Sequence, residues 1–407
     1  MDPWFTPEHR ALRQRVREFA EAEIAPVAAR LDAESRFPWD NVRRMADLGF
    51  FGVNVPRELG GLGLDYISYI LVIEELARVD ASHAITISAH STLGTSPILT
   101  FGTVEQQQRY VPLLASGRVL GGFGLTEPSA GSDAAGTRTV AVRTDGGYRI
   151  NGSKIFITHA GVGEIFVVTA VTDRDKGSKG ITSFIVTKPT TDLEEAERVG
   201  VGHASELEPF TKGVRAGKKE DKMGWRASDT RELLLDDVEV PAENRLGGEG
   251  EGFINFMKTL DAGRIGVAAL ALGLAQGAFE SSVRFVGGRS QFGKPLKDFQ
   301  GIQFTLADMA TEIAAARHLV YHAAWLKQHD QRFAEAASMA KLYASELSMR
   351  ATTRAVQLHG AHGYTTEYDV ERMMRDAKIG EIGEGTSEVQ RMVIARSLYR
   401  ELLGTGA

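Results

Sequence analysis

Hydrophobic positions change their period twice along the chain. Thr6-Pro7-Glu8 is a capping residue followed by proline at the first helical position. Leu12, Val16, Phe19 and Ala20 then fall on one face at helical spacing. The stretches 69–79 and 84–99 are apolar on every side, which predicts buried helices, and 57–65, with Gly60, Gly61 and Gly63, reads as a loop between helices. Past residue 120 the period shortens. Residues 138–142, 148–151, 154–158, 165–172, 181–187 and 231–235 are β runs, and Asp145-Gly146-Gly147 supplies a hairpin turn. From about 245 the helical period returns. Met257, Leu260, Ile265, Ala268, Leu272, Ala275, Phe279, Val283 and Val286 share one long helix. Phe299, Ile302, Leu306, Met309 and Ile313 begin a second, and two more follow.

This pattern predicts an α+β chain in three parts: an all-α N-terminal domain (1–120), a small antiparallel, β-barrel-like middle domain (121–241) and a C-terminal four-helix bundle (242–407). A length of 407 residues exceeds one ordinary core and agrees with several domains. One stretch, 190–209, fits no element. It holds Asp192, Glu194, Glu195, Glu197, Glu206 and Glu208 with a lone His203, and reads as a solvated acidic insertion between two strands.

Composition narrows the chemistry. A net charge of −6 lacks the basic excess that nucleic-acid binding usually needs. Cysteine is absent, which removes disulfides, thiol nucleophiles and thiolate metal sites. The apolar run 265–275 is too short to span a bilayer, so no membrane insertion is expected. Met1-Asp2-Pro3-Trp4 carries no mark of a signal or transit peptide, and a cytoplasmic enzyme is expected. His318 and His322 stand at i,i+4 and His359 and His362 flank two small residues, yet no carboxylate base accompanies them; no metal site is assigned.

Glu384 stands between Gly383 and Gly385 in Glu381-Ile382-Gly383-Glu384-Gly385-Thr386-Ser387-Glu388-Val389-Gln390-Arg391. Flanking glycines free the backbone and clear space around the acid, so the carboxylate can enter an apolar pocket, where burial makes it a stronger base. It also suits a place just outside a helix 387–402 capped by Thr386, and the two readings are compatible. Phe123-Gly124-Leu125-Thr126-Glu127-Pro128-Ser129-Ala130-Gly131-Ser132-Asp133 combines small residues with hydroxyls and is either a ligand loop or a plain turn. Neither G-x-G-x-x-G nor a P-loop occurs. Arg289-Ser290-Gln291-Phe292-Gly293-Lys294-Pro295-Leu296 offers a phosphate-binding arginine or a solvated helix end. Gln357-Leu358-His359-Gly360-Ala361-His362-Gly363-Tyr364 is a glycine-rich helix end, which lets a ligand approach or simply turns the chain.

In this order and spacing the motifs resemble the acyl-CoA dehydrogenase family over about 4–403, the acidic insertion excepted. The resemblance implies FAD held between the middle domain and the C-terminal bundle. Phe123, Leu125, Thr126 and Ser132 match the first flavin segment; Ser132 also matches a contact to the thioester ligand. Phe156, Ile157 and Thr158 match the second segment, with phenylalanine where many relatives have tryptophan. Arg289, Phe292 and Gln300 match residues reaching FAD from a neighbouring subunit. Gln357, Gly360 and Ala361 match a pyrophosphate and adenosine segment from that neighbour, although glycine is usual where Ala361 stands. Thr386 and Glu388 match further FAD contacts, and Asp261 and Arg264 match the segment beside the CoA moiety.

Glu384 matches the catalytic base. Some relatives carry the base at the position of Gly263, and glycine excludes that here. Many relatives have tyrosine at the position of Gly383, a wall of the acyl pocket, with Gly385 completing the segment. The implied reaction is α,β-dehydrogenation of an acyl-CoA to a trans-2-enoyl-CoA, as in fatty acid β-oxidation. Electrons would pass to an electron-transferring flavoprotein, in a homotetramer built as a dimer of dimers. An acyl-CoA oxidase or a non-catalytic helical scaffold on the same fold are the other readings; a scaffold should have lost the base or a flavin loop, and neither is lost.

Overall fold

The first helix begins where the cap predicts. The Thr6 side chain accepts from the His9 amide, and the Thr6 amide donates to the His9 ring. In the computed structural model, which describes residues 4–404, seven helices build the N-terminal part. They are α1 (Pro7–Phe19), α2 (Ala25–Glu34), α3 (Trp39–Asp47), α4 (Tyr66–Ala77), α5 (Ala81–Ala89), α6 (Ser96–Phe101) and α7 (Val104–Ala115). All of α4 and α5 is buried, as their apolar composition requires. The stretch 84–99 is not one straight helix: a π-helical turn, His90–Thr95, separates α5 from α6. There the chain passes the sheet so closely that a Cβ on Gly94 would stand 2.7 Å from Gly121 Cα.

Eight strands follow: β1 (Gly121–Gly124), β2 (Val140–Thr144), β3 (Gly147–Thr158), β4 (Ile165–Val171), β5 (Ile181–Thr187), β6 (Val214–Lys219), β7 (Thr230–Pro241) and β8 (Arg245–Leu246). The order is β6-β7-β3-β2-β4-β5-β8, with β1 paired to β4. Most ladders are antiparallel, and Asp145 and Gly146 turn β2 into β3. The sheet is nevertheless mixed, because β1 runs parallel to β4 from Gly121↔Ile165 to Gly124↔Val168 and β2 touches β4 in parallel at Val140↔Val171. The β runs at 148–151 and 154–158 are one strand, and its ladder with β7 slips between Lys154 and Ile157. The slip leaves Phe156 at φ 58° and 61% exposed.

The acidic stretch 190–209 is not a solvated loop. It forms α8 (Leu193–Val199) and docks on the N-terminal helices. Ala196, Val201, Ala204 and Leu207 are buried between its acids. Arg198 meets Asp40 at 2.8 Å, Arg118 meets Glu206 at 2.7 Å, and Trp39 Nε1 donates to Asp192 at 3.4 Å. The Ala204 amide donates to the buried Glu164 carboxylate at 3.0 Å. Apolar residues three to five positions apart carry the docking, while the acids face water, arginine or, for Asp192, the Trp39 indole.

The C-terminal part holds α9 (Gly252–Gly288), α10 (Gln300–Gln328), α11 (Ala334–His359), α12 (Val370–Ala377) and α13 (Ser387–Leu403). The four long helices are the expected bundle, with α12 as a short fifth. By length and composition α9 is apolar enough to cross a membrane, unlike its run 265–275 alone, but 89% of that window is buried inside the protein. It packs along α4 and α11 as the central rod. Glu74 of α4 ties the two halves: it is buried, accepts from Arg317 at 2.8 Å and from the Tyr321 hydroxyl at 2.6 Å, both on α10.

Replacing 192–207 by a short glycine–serine linker should lower the thermal midpoint by several degrees, since it uncovers apolar surface and takes a hydrogen-bond donor from buried Glu164. A thermal scan indistinguishable from wild type would restore the free-loop reading.

Candidate active site

Glu384 sits on a turn its neighbours impose. After α12 the chain tightens into the 3-10 turn Lys378–Glu381, and the Ile379 carbonyl accepts from the Ile382 and Gly383 amides at 2.9 and 2.8 Å. Glu384 then takes φ 53° and Gly385 φ 98°. The left-handed region costs a glutamate about 1 kcal/mol or more, so surrounding contacts must hold it. Two buried side chains grip the following carbonyl: Lys341 Nζ of α11 and Gln390 Nε2 of α13 donate to Gly385 O at 2.6 and 2.8 Å. Thr386 caps α13 by accepting from the Val389 amide at 3.3 Å. The acid is therefore both in a pocket and just outside a helix N-terminus.

The Glu384 carboxylate points at α9. Its Oε2 atom has lost its solvent contact and has no hydrogen-bond partner among the described residues. A Cβ on Gly263 would overlap Oε2 and stand 3.0 Å from Cδ, so the missing side chain of Gly263 is the space the carboxylate fills. Burial pushes the Glu384 pKa up to about 7, and the Lys341 ammonium and Arg264 guanidinium keep it from rising further. Burial drives Lys341 down to about 8, opposed by the Glu384 charge. Arg264 is buried, bonds Asp261 at 2.5 Å and leaves Nε without a partner. Tyr66 and Tyr69 of α4 complete the wall; the Tyr66 hydroxyl donates to Ala262 O at 3.1 Å.

The two expected flavin segments lie side by side. The Ile155 amide on β3 donates to Thr126 O at 2.8 Å. Lys154 and Glu127 form a buried pair at 2.7 Å, and Lys154 also donates to Leu125 O at 3.3 Å. Glu127 is saturated by Thr137 Oγ1 and by the amides of Arg138 and Thr139. This pair straps the loop to β3, placing half-buried Leu125 and Thr126 near exposed Phe156, with Ile157 buried and Thr158 half-buried beyond. Phe123 is almost fully buried in β1, and Ser132 is exposed on the loop. Leu260 of α9, three residues before Gly263, packs in the same apolar cluster as Phe123 and Leu125. An apolar ledge edged by hydroxyls and backbone groups fits a flavin, and Glu384 Oε2 has no hydrogen-bond partner among the described residues.

A second group is brought together elsewhere. Arg289, Phe292, Gln300, Gln357, Gly360 and Ala361 are all exposed, and Phe292 shows 93% of its surface. Arg289 Nη1 meets His362 Nε2 at 3.4 Å, joining the end of α9 to the end of α11. Gly263 and Arg289 are separated by about 39 Å along α9 at the helical rise. The group therefore faces away from the chain's own carboxylate. Thr386 is half-buried at the cap and Glu388 exposed in the first turn of α13, both close to Glu384 in sequence.

The pattern described as Acyl-CoA dehydrogenase, N-terminal domain matches residues 6–118, the middle domain 122–238 and the C-terminal domain 250–399. Short-chain specific acyl-CoA dehydrogenase of Clostridium acetobutylicum is 48% identical over 400 residues, covering 98% of this chain and 100% of that protein. The solved butyryl-CoA dehydrogenase of Megasphaera elsdenii has a TM-score of 0.91 at 46% identity, covering 98% of this chain and 100% of its own. A chain solved in work on the electron transferring flavoprotein of Acidaminococcus fermentans and flavin-based electron bifurcation has a TM-score of 0.92 at 46% identity, with the same coverage. The chain belongs to the acyl-CoA dehydrogenase family, and it is an FAD-dependent oxidoreductase.

Several residues at the site carry no motif. Lys341 lies among Ala337, Ala340 and Ala344 on the buried face of α11; a lysine there is the one signal the chain offers for it. Lys154 interrupts a β run in the same way, whereas Gln390 and the tyrosines of α4 give no sign. Gly263→Ala should leave folding and FAD content near wild type but drive the carboxylate out of its notch, lowering kcat at least 100-fold. Steady-state turnover beside flavin absorbance measures both, and normal turnover would show that the Gly263 gap is incidental.

Proposed function

We propose that the chain dehydrogenates short acyl-CoA thioesters, with Glu384 as the base that removes the α-proton. The observation that carries the reading is a buried, unpartnered Oε2 poised near neutrality above Gly263. Such a carboxylate is ionised often enough to act at physiological pH and basic enough to attack a weakly acidic C–H. Bound FAD supplies the acceptor for the β-hydride. Leu125, Thr126, Ser132, Phe156, Ile157 and Thr158 would hold its ring, Thr386 and Glu388 would add contacts, and Asp261 and Arg264 would face the CoA side. Gly383 and Gly385 keep the base segment narrow.

The exposed group Arg289, Phe292, Gln300, Gln357, Gly360 and Ala361 lies too far from its own carboxylate to serve it, and suits FAD in a second copy. This supports a homotetramer built as a dimer of dimers. The family relatives, among them the flavoprotein-linked chain, support an electron-transferring flavoprotein as electron acceptor. The apolar rod α9 is consumed by the fold, in keeping with a soluble cytoplasmic enzyme.

Glu384→Gln should retain FAD and bind acyl-CoA yet lose most flavin reduction, since an amide is no base. In the wild type, kcat/KM should rise with pH through about 7 on its acid limb. The native state binds the Glu384 proton more tightly than the unfolded chain, so this group's contribution to stability falls as pH rises from about 4.5 to about 7. The Gln variant should therefore gain stability over wild type at pH 8, by at most about 3 kcal/mol, and little at pH 5. Flavin reduction by substrate at the wild-type rate in the variant would remove Glu384 from its role.

Gly383 sets the width of the pocket. Its backbone lies outside the left-handed region, and a Cβ there would meet only Ile379 O at 3.5 Å and Ile379 Cγ1 at 3.9 Å. Backbone geometry thus does not require glycine, which supports a pocket left wide near the reacting carbons. Short branched acyl-CoAs such as isobutyryl or isovaleryl should be accepted beside straight short-to-medium chains. Gly383→Tyr should cost branched substrates about 1–3 kcal/mol more in kcat/KM than butyryl-CoA. Equal losses on both, read by anaerobic flavin bleaching, would rule the pocket explanation out.

A further inference from the structure

We infer that Lys341 and Gln390 are positioning residues of the reaction: from two helices they clamp the Gly385 carbonyl, and so fix the left-handed turn that aims Glu384 at the Gly263 notch. The inference rests on Glu384 being the base. Both side chains are fully buried, and both end on the same oxygen, at 2.6 and 2.8 Å. Gln390 Nε2 also lies 3.5 Å from Glu384 O, so its amide spans both residues of the turn. Among the described residues Gln390 Oε1 has no partner, so the contacts of its amide group are spent on this backbone.

Lys341 is an expensive choice for a merely structural clamp. Among the described residues its ammonium makes one hydrogen bond, to Gly385 O. Its surroundings on α11 are alanines and the serines Ser338 and Ser345, whose hydroxyls are buried without partners. A buried ammonium so sparsely bonded is normally replaced by an apolar side chain unless its charge is used. Of the charges around it, Glu384 acts on it most strongly, from across the turn whose Gly385 carbonyl it holds. Around the pair stand Arg264 and Asp261 on α9, Glu381 on the 3-10 turn, Glu388 on α13, and the hydroxyls of Tyr66 and Tyr69 on α4. Arg264 is engaged by Asp261 at 2.5 Å, and this leaves Lys341 as the cation not already paired with another carboxylate at hydrogen-bond distance. Lys341 therefore has two tasks: its N–H holds the turn, and its charge keeps the base ionised near neutral pH. Gln390 has only the first.

The two tasks separate by mutation. In FAD-replete protein with wild-type circular dichroism, Lys341→Met should lower the anaerobic rate of flavin reduction by butyryl-CoA at least 10-fold at pH 7. It should also move the acid limb of that rate upward by about one pH unit or more, with part of the rate recovered at high pH. Lys341→Arg, which keeps charge and donors, should leave the acid limb in place. Gln390→Leu should lower the rate at every pH without moving the limb. If Lys341→Met does not fold, the other two variants decide alone. An unmoved limb in Lys341→Met, a displaced limb in Lys341→Arg, or a wild-type rate in Gln390→Leu would overturn the inference. Glu384→Gln run in parallel separates this outcome from failure of the base itself: a reactive Gln variant removes the base, whereas an inert one beside normal Lys341 and Gln390 variants removes only the clamp.

Discussion

One carboxylate taken out of water organises this molecule. An isolated acid is not buried without compensation, and Glu384 receives only part of it: two cations within electrostatic reach and no hydrogen bond to Oε2 among the described residues. The residual penalty appears as a pKa near 7, the value that the proposed role as a base requires. The rest of the site follows from keeping the acid where it is. Gly263 yields the volume, Gly385 accepts the positive φ, and Lys341 with Gln390 holds the carbonyl between them. The N-terminal domain closes the wall with Tyr66 and Tyr69.

The three parts of the chain share the work unequally. The bundle carries the proposed base and its supports, because long packed helices hold side chains more rigidly than loops do. The sheet carries the segments expected to face a flavin, and a buried ion pair, Glu127 with Lys154, fixes them as the Lys341 hydrogen bond to Gly385 fixes the Glu384 turn. Lys154 is driven down to about 8 by burial and Glu127 to about 2, chiefly by the lysine charge against its own desolvation. Each contact links segments distant in sequence, so each ties a glycine-rich stretch to a packed element. The ends of α9 and α11 present a third surface, left exposed among the described residues.

Much of this was legible in the residues. Gly-Glu-Gly announced an acid with cleared flanks, and the helical period of 257–286 announced the central rod, whereas the hydroxyl-rich loop after β1 read equally as a plain turn until the family resemblance marked it as a ligand segment. What failed to show has a common cause: it depends on partners far away in the chain. The parallel pairing of β1 with β4 joins residues more than forty positions apart, and nothing local encodes it. β6 is rich in lysine and arginine and β8 is two residues long, so neither has a strand period to detect. The stretch 190–209 misled through its acids, whereas its docking is carried by Ala196, Val201, Ala204 and Leu207. Lys341 is visible only as a charge where the helical period asks for an apolar residue, and its meaning appears once Gly385 is found beside it.

The central claim is that Glu384 is a base made competent by burial. It is tested most directly by exchange of the substrate α-hydrogen with D2O, using a thioester analogue that cannot lose a β-hydride, so that proton removal is observed apart from oxidation. The account predicts exchange in the wild type with an acid limb near pH 7 and none above background in Glu384→Gln. Exchange that survives in the Gln variant, or an acid limb at about 4.3, where an ordinary solvated glutamate titrates, would contradict it.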